Sequence, residues 1–146
     1  MKVILSSDHG GVNLRKEVGS LLEEMNIDYE DMGCTCEESV DYPDFGIPPA
    51  ERVAKGEFDY GILICGTGIG ISMSANKVKG IRCALAHDVF SAKMSRQHNN
   101  ANMLAMGERV IGPGLAREIT KAFLESEFDG GRHEKRVNKI IAYEEQ

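Results

Sequence analysis

The sequence predicts an α/β fold, a parallel sheet wrapped by helices on both faces, and three observations predict it. Short apolar runs of strand length alternate with helical patterns along the 146 residues. The most apolar run, residues 60–64 (Tyr-Gly-Ile-Leu-Ile), is short and β-branched, as a buried strand should be. Three separate runs end in polar or glycine-rich residues: Asp8-His9-Gly10-Gly11, Cys65-Gly66-Thr67-Gly68-Ile69-Gly70 and His87-Asp88. In such sheets ligands bind outside the carboxyl ends of the strands.

Residues 3–7 read as the first strand. Leu14, Val18, Leu21, Leu22 and Met25 follow at helical spacing, with Asn13 as the candidate N-cap. A weaker strand over 28–32 precedes an acidic loop holding Asp41-Tyr42-Pro43-Asp44. A second helix is expected to begin near Pro48 or Pro49, because Pro fits a first helical turn. The 60–64 strand leads through the glycine loop to a short helix over 71–76, then to a strand over 81–86. Asp88 is placed to cap a helix running toward His98. Residues 102–106 and 109–111 are short strand candidates. Pro113 opens a helix with Leu115, Ile119, Ala122 and Phe123 on one face. Gly130-Gly131 break the chain before a last helix over 134–144, which carries Val137, Ile140 and Ile141. No internal repeat, low-complexity segment or long linker divides the chain, so residues 1–146 are expected to form a single domain.

A formal net charge of −6 argues against nucleic acid and anionic membrane as partners. It leaves room for a small phosphorylated ligand, which needs only a local cluster of Arg and His. No apolar run approaches the roughly 20 residues needed to span a bilayer. The strand-like start has no signal-peptide pattern, and a cytoplasmic location is expected. Cys34 and Cys36 are spaced C-x-C, not as a zinc knuckle or a redox motif. With Cys65 and Cys83 they read as free thiols of a cytosolic chain. The spacing leaves a regulatory disulfide or metal clip at Cys34 and Cys36 open.

The chemistry concentrates at Cys65. Glycines at 66, 68 and 70 let the backbone approach a ligand closely, and the amides at the following helix start suit an anion. The pattern is G-x-G-x-G, with Ile71 where a dinucleotide fingerprint needs its last Gly and no Walker lysine behind it. A thiol at this edge is in a field that favours thiolate, suited to a base or nucleophile. The same residues also describe a buried structural Cys before a tight turn. His9 follows Asp8 at a strand end. His98 sits among Arg96, Gln97, Asn99, Asn100 and Asn102, which describes an acid/base or a helix C-cap and loop equally well. Arg132 and Arg136 stand four apart, so on a helix they share one face, as a phosphate clamp or as a solvated basic turn. Together, a thiol base, an oxyanion loop, an imidazole and an Arg pair suit proton abstraction next to a carbonyl.

The set Asp8-His9-Gly10, Asp41-Tyr42-Pro43, Cys65 to Gly70, Ser95-Arg96-Gln97-His98-Asn99, Gly107-Glu108-Arg109-Val110 and Gly131-Arg132-His133 through Arg136 resembles ribose-5-phosphate isomerase type B. That sugar-phosphate isomerase family also contains galactose-6-phosphate isomerase. The resemblance covers essentially the whole chain. It implies a three-layer Rossmann-like fold with a parallel sheet of about five strands. It also implies interconversion of ribose 5-phosphate and ribulose 5-phosphate, no cofactor or metal, and a homodimer that in some members pairs into a tetramer. By position, Cys65 matches the base and His98 the residue that assists ring opening. Asp8 and His9 match a ligand-binding pair. Gly66, Thr67, Gly68, Ile69 and Gly70 match the enediolate loop, with Thr67 counted among the catalytic residues. Asn99 matches a contact to the reacting end, and Arg109, Arg132 and Arg136 match phosphate contacts. The resemblance implies a site between subunits, with the stretches around His98 and Arg109 both from the partner chain. Ile69 stands where one branch of the family carries a Glu base, so this chain goes with the Cys branch. Asn100 departs from the expected Asp. The intact Gly131-Arg132-His133 favours a pentose over a hexose 6-phosphate such as allose or galactose 6-phosphate. A non-catalytic sugar-phosphate-binding module is the reading of another class, and it would need no thiol in the loop.

Overall fold

A computed structural model of the chain describes residues 1–35 and 37–146. Among these, β1 (Lys2–Ser7), β2 (Asp28–Asp31), β3 (Tyr60–Cys65), β4 (Cys83–Leu85) and β5 (Met103–Gly107) form one sheet. Its order is β2-β1-β3-β5-β4, and every neighbouring pair is parallel. The helices are α1 (Val12–Glu24), α2 (Pro43–Ala54), α3 (Ile69–Ala75), α4 (Val89–Gln97), α5 (Pro113–Glu125) and α6 (Arg132–Glu144).

Alternation along the central strands builds the three layers. Val3, Leu5, Ile62, Ile64, Leu104 and Met106 face α1, α4 and α5 through Leu14, Val18, Ala92, Ile119 and Phe123. Ile4, Leu63, Cys65, Met103 and Ala105 face α2 and α3 through Ala50, Val53, Ile71 and Ala75. Strands covered on both sides have no polar face, which is why they read as continuous apolar runs. Each fully buried Ile or Leu is worth roughly 1.5–3 kcal/mol, and Ile4, Leu5, Ile62, Leu63, Ile64 and Leu104 are all at zero exposure. Helix α6 lies outside this sandwich. Only His133 and Val137 on it are buried, while Ile140 and Tyr143 are exposed.

Four sequence expectations change. Asn13 does not cap α1. Asp8 instead caps a 3₁₀ turn, His9–Gly11, that runs into the helix, and the α1 amide of Leu14 donates to Glu108 Oε1 at 2.6 Å, from 94 positions away. Helix α2 begins at Pro43, inside the expected loop, and carries Pro48 and Pro49 internally. Pro49 has no N–H for the carbonyl of Phe45, four residues earlier. The buried Ser6 hydroxyl on β1 donates to that carbonyl at 2.7 Å, which satisfies the orphan acceptor. Residues 109–111 form a turn, not a strand: the amides of Val110 and Ile111 both return to the Gly107 carbonyl. The 81–86 strand is shorter than expected, holding its ladder only from Cys83 to Leu85.

Winding reverses between β1 and β3. The chain steps outward from β1 to β2, then returns to the other side of β1 for β3, β4 and β5. The crevice at such a reversal, at the carboxyl ends, is where open α/β sheets bind ligands.

Candidate active site

Cys65 is the last residue of β3, and Asp8 follows the last residue of β1, so the two stand side by side at the reversal point. Cys65 is 5% exposed, and its Sγ accepts the Gly68 amide at 3.1 Å. The loop closes with Gly68 at φ 77°, a left-handed conformation. A Cβ there would also lie 2.7 Å from Leu85 and 2.8 Å from the Met106 backbone, so the turn needs glycine on both counts. Thr67 Oγ1 accepts the Ile69 amide at 3.2 Å, and Thr67 and Ile69 are exposed.

Asp8 is buried and spends Oδ1 on the Gly10 amide at 2.8 Å. Gly10 in turn abuts Gly66, which brings the β1 and β3 loops into contact. The half-buried His9 accepts the Val40 amide at its Nδ1, 3.1 Å away. In the neutral ring this leaves Nε2 as the donor. Arg109 lies over Gly66 of its own chain, and its amide donates to the Gly66 carbonyl at 3.0 Å. Tyr42 packs its ring on Gly70.

The remaining residues stand at the other edge of the sheet. His98 caps the end of α4, five residues before β5 begins, and Asn102 in the same connection bonds Gly61 near the start of β3 and Arg82 just before β4. The His98 ring stacks on His133, with centroids 4.1 Å apart and planes 9° from parallel. The Asp129 amide donates to Gln97, which ties the turn before α6 to the end of α4. Arg132 and Arg136 project from the first turns of α6 beside this stack, exposed, as is Asn99. Burial first, then the charges of His98, Arg132 and Arg136, holds the His133 imidazole below its ordinary pKa. Donor atoms of His98, Asp129 and His133 lie within 4.8 Å of one another. An imidazole lone pair lies in its ring plane, so two stacked parallel rings do not aim at one ion. The paired guanidinium groups alongside suit an anion.

Two clusters therefore occupy opposite edges of the sheet. The residues from Met1 to Gln146 supply both, and a model of the family described as Ribose/Galactose Isomerase matches residues 3–140. The chain belongs to the ribose/galactose isomerase family. The Bacillus subtilis protein YwlF is 66% identical, with 100% of this chain and 99% of that one covered. The ribose-5-phosphate isomerase B of Escherichia coli is 45% identical over 99% of this chain and 97% of its own. The solved structure of Clostridium thermocellum ribose-5-phosphate isomerase B superposes with a TM-score of 0.97 at 52% identity, covering 99% and 98% of the two chains.

Against the ribose/galactose isomerase pattern read from sequence, the structure brings Asp8, His9, Cys65, the 66–70 loop and Arg109 together. His98, Asn99, Arg132 and Arg136 gather elsewhere. Arg109, which the resemblance implies enters from the partner chain with His98, lies over Gly66 of its own chain. Asn100 takes φ 46°, a conformation Asn tolerates, and its Oδ1 accepts Arg96 at 2.9 Å. Of the Cys34 and Cys36 pair, Cys36 lies outside the described residues. Several supports were not assigned a role from sequence. Arg15, 4% exposed, donates to Ser7, to the Cys34 carbonyl and to Asp31, fixing the segment that leads toward Val40 and Tyr42. Glu108 and Tyr42 had motif membership as their only signal. Arg96 crosses the Tyr60 ring at 4.7 Å and donates to Ala101, which seats the end of α4.

Proposed function

We propose that the chain interconverts ribose 5-phosphate and ribulose 5-phosphate through an enediolate, at a site completed by a second copy of itself. The observation that carries this reading is the Cys65 thiol at the sheet's reversal point, holding the Gly68 amide and bounded by Asp8, Thr67 and Arg109. As thiolate, Cys65 removes the proton from C2 of the open-chain aldose and returns it at C1. The charge that builds on the carbonyl oxygen is taken up by amides of the 66–70 loop. Asp8, held by Gly10, and the Nε2 side of His9 bound the sugar.

His98 of the partner subunit opens the ring by proton transfer, and Arg132 and Arg136 of the partner subunit hold the phosphate with Arg109. A five-residue strand spans roughly 16 Å, much longer than a pentose phosphate, so one chain's His98 and Cys65 do not reach one molecule. The uncovered apolar side of α6 supports a second copy as the element that brings the halves together. A homodimer is the smallest assembly that does so, and a tetramer of two such dimers keeps the same sites. Residues 1–146 act as a single domain in this reading. A cytoplasmic location fits a substrate that is itself phosphorylated.

The test is one assay. Purified protein is incubated with ribose 5-phosphate and excess chelator, and ketose formation is measured beside allose 6-phosphate. Ketose from the pentose supports the proposal. Turnover of allose 6-phosphate alone would move the substrate to a hexose, and tight binding without turnover would make the chain a sugar-phosphate sensor.

A further inference from the structure

Three consecutive residues at the end of β5, Gly107 to Arg109, back the catalytic loop, two of them through their amides. The Glu108 amide donates to the Cys65 carbonyl at 3.0 Å, and the Arg109 amide to the Gly66 carbonyl at 3.0 Å. The first of the three, Gly107, presses directly on Thr67: a Cβ at 107 would lie 2.6 Å from the Thr67 backbone. Gly107 stands in register with Cys65 of β3, but the acceptor of its own amide, on the β4 side, is not a strand. The ladder between β4 and β5 stops where the Ala86 amide meets the Ala105 carbonyl. The next β5 amide, that of Gly107, donates to a side chain, Nε2 of His87, at 2.9 Å. An acceptor at Nε2 places the proton of the neutral ring on Nδ1. His87 is half-buried, and the next residue, Asp88, is fixed as the cap of α4 through the Ser91 amide. The imidazole is therefore carried on a short segment anchored on both sides.

We propose that His87 is a positioning residue for the isomerase reaction: its Nε2 replaces the missing strand partner of Gly107 and so sets the Gly107–Arg109 strip against the Cys65 loop. His87 touches no reacting atom in this account. It acts through Gly107 on Thr67, through Glu108 on Cys65 and through Arg109 on Gly66. The inference rests on the Cys65 loop being the catalytic one.

The experiment compares His87→Ala, His87→Asn and His87→Gln, with Cys65→Ala beside them, in the ribose 5-phosphate assay. Gln places its oxygen where Nε2 stands, whereas the Asn oxygen falls short at the Nδ1 position. Leaving the Gly107 amide without an acceptor should lower kcat about tenfold in the Ala and Asn variants. KM should change less than kcat, because Arg109 is the one phosphate contact on the strip and the Arg132 and Arg136 contacts are untouched. Gln should restore kcat to within about threefold of the parent. A folded His87→Ala protein with unchanged kcat overturns the inference. So does a Gln variant as slow as the Asn variant, and this pair decides the matter if His87→Ala fails to fold. An active Cys65→Ala protein removes the reading of the loop and this inference with it. An inactive Cys65→Ala protein with an unaffected His87 series removes only the role of His87.

Discussion

The two edges of the sheet are built by different means. At the carboxyl edge, backbone does the positioning: Gly10 against Gly66, Gly107 against Thr67, and the amides of Gly68, Glu108 and Arg109 on Cys65 and Gly66. Cys65 is buried there, in contact with both the core and the crevice. At the amino edge, side chains stand out from a helix end and a glycine turn: His98 on His133, with Arg132 and Arg136 exposed. One edge is suited to holding charge that develops during reaction. The other is suited to recruiting a charged, flexible substrate. In the proposed function a chain that carries both on opposite edges holds half of each of two sites, and that proposal predicts how they are shared.

The largest expected effect concerns the carboxyl edge alone. Cys65→Ala should lower kcat by about 100-fold or more, the scale of general-base catalysis, while Tm moves little. Activity within a few-fold of the parent would take Cys65 out of the chemistry. His98→Asn should be slow on ribose 5-phosphate yet largely retain activity on open-chain ribulose 5-phosphate at first contact with enzyme. Equal losses on both would contradict a role specific to the ring.

Mixing variants shows how the two edges are shared between chains. Cys65→Ala and Arg136→Ala damage opposite edges. Assayed at substrate well below the parent KM, where Arg136→Ala alone is nearly silent, about half the dimers after subunit exchange are mixed and each holds one intact site of two, so activity should rise toward about a quarter of the parent. Cys65→Ala and Arg109→Ala damage the same edge, and no mixed dimer then has an intact site. That expectation follows from Arg109 lying over its own Gly66, whereas the family resemblance implies Arg109 from the partner chain, which would have that second pair complement. Recovery in the Cys65/Arg109 mixture, with none in the Cys65/Arg136 mixture, would restore the original assignment.

A smaller effect separates the phosphate contacts. Arg132→Ala and Arg136→Ala should each raise KM by roughly 10-fold or more, since a charge-assisted contact is worth about 1.5–3 kcal/mol. kcat should change less. A loss in kcat with unchanged KM would place these groups at the reacting carbons instead.

How much of this was legible in the sequence follows from where the cause sits. The central strands were legible because burial on both faces leaves only apolar residues, as in Ile62, Leu63 and Ile64. Asp88 was legible as a cap because the cap bond to Ser91 is local. The start of α2 was not, because a helix tolerates Pro49 only where a distant residue, Ser6, takes the orphaned carbonyl. The cap of α1 was hidden for the same reason, since Glu108 reaches Leu14 across the fold. In the site, Cys65 and the glycine spacing announced themselves in one stretch. The grouping of Arg109 with Cys65, and of His98 with Arg132, depends on which end of a strand each residue follows. Motif order along the chain does not carry that, and the topology does.

Acid should separate the two edges once more, with the smallest effect. Burial and the neighbouring cations hold folded His133 below its ordinary value of 6.5. The unfolded chain, with an unperturbed imidazole, takes up a proton as pH falls past about 6.5, while the folded chain resists it. The unfolded state then binds more protons, so stability falls as pH drops from that point, and the loss levels off only below the folded His133 value. Above about 7 the residue should contribute no slope. His133→Gln keeps a polar side chain in the turn but removes this titration. Its Tm should therefore decline less steeply than the parent's between pH 7.5 and pH 5, read at one protein concentration so that assembly is held constant. Parallel declines in the two proteins would assign the acid sensitivity to groups elsewhere, and would leave the amino edge with no electrostatic cost for stacking two imidazoles beside two guanidinium groups.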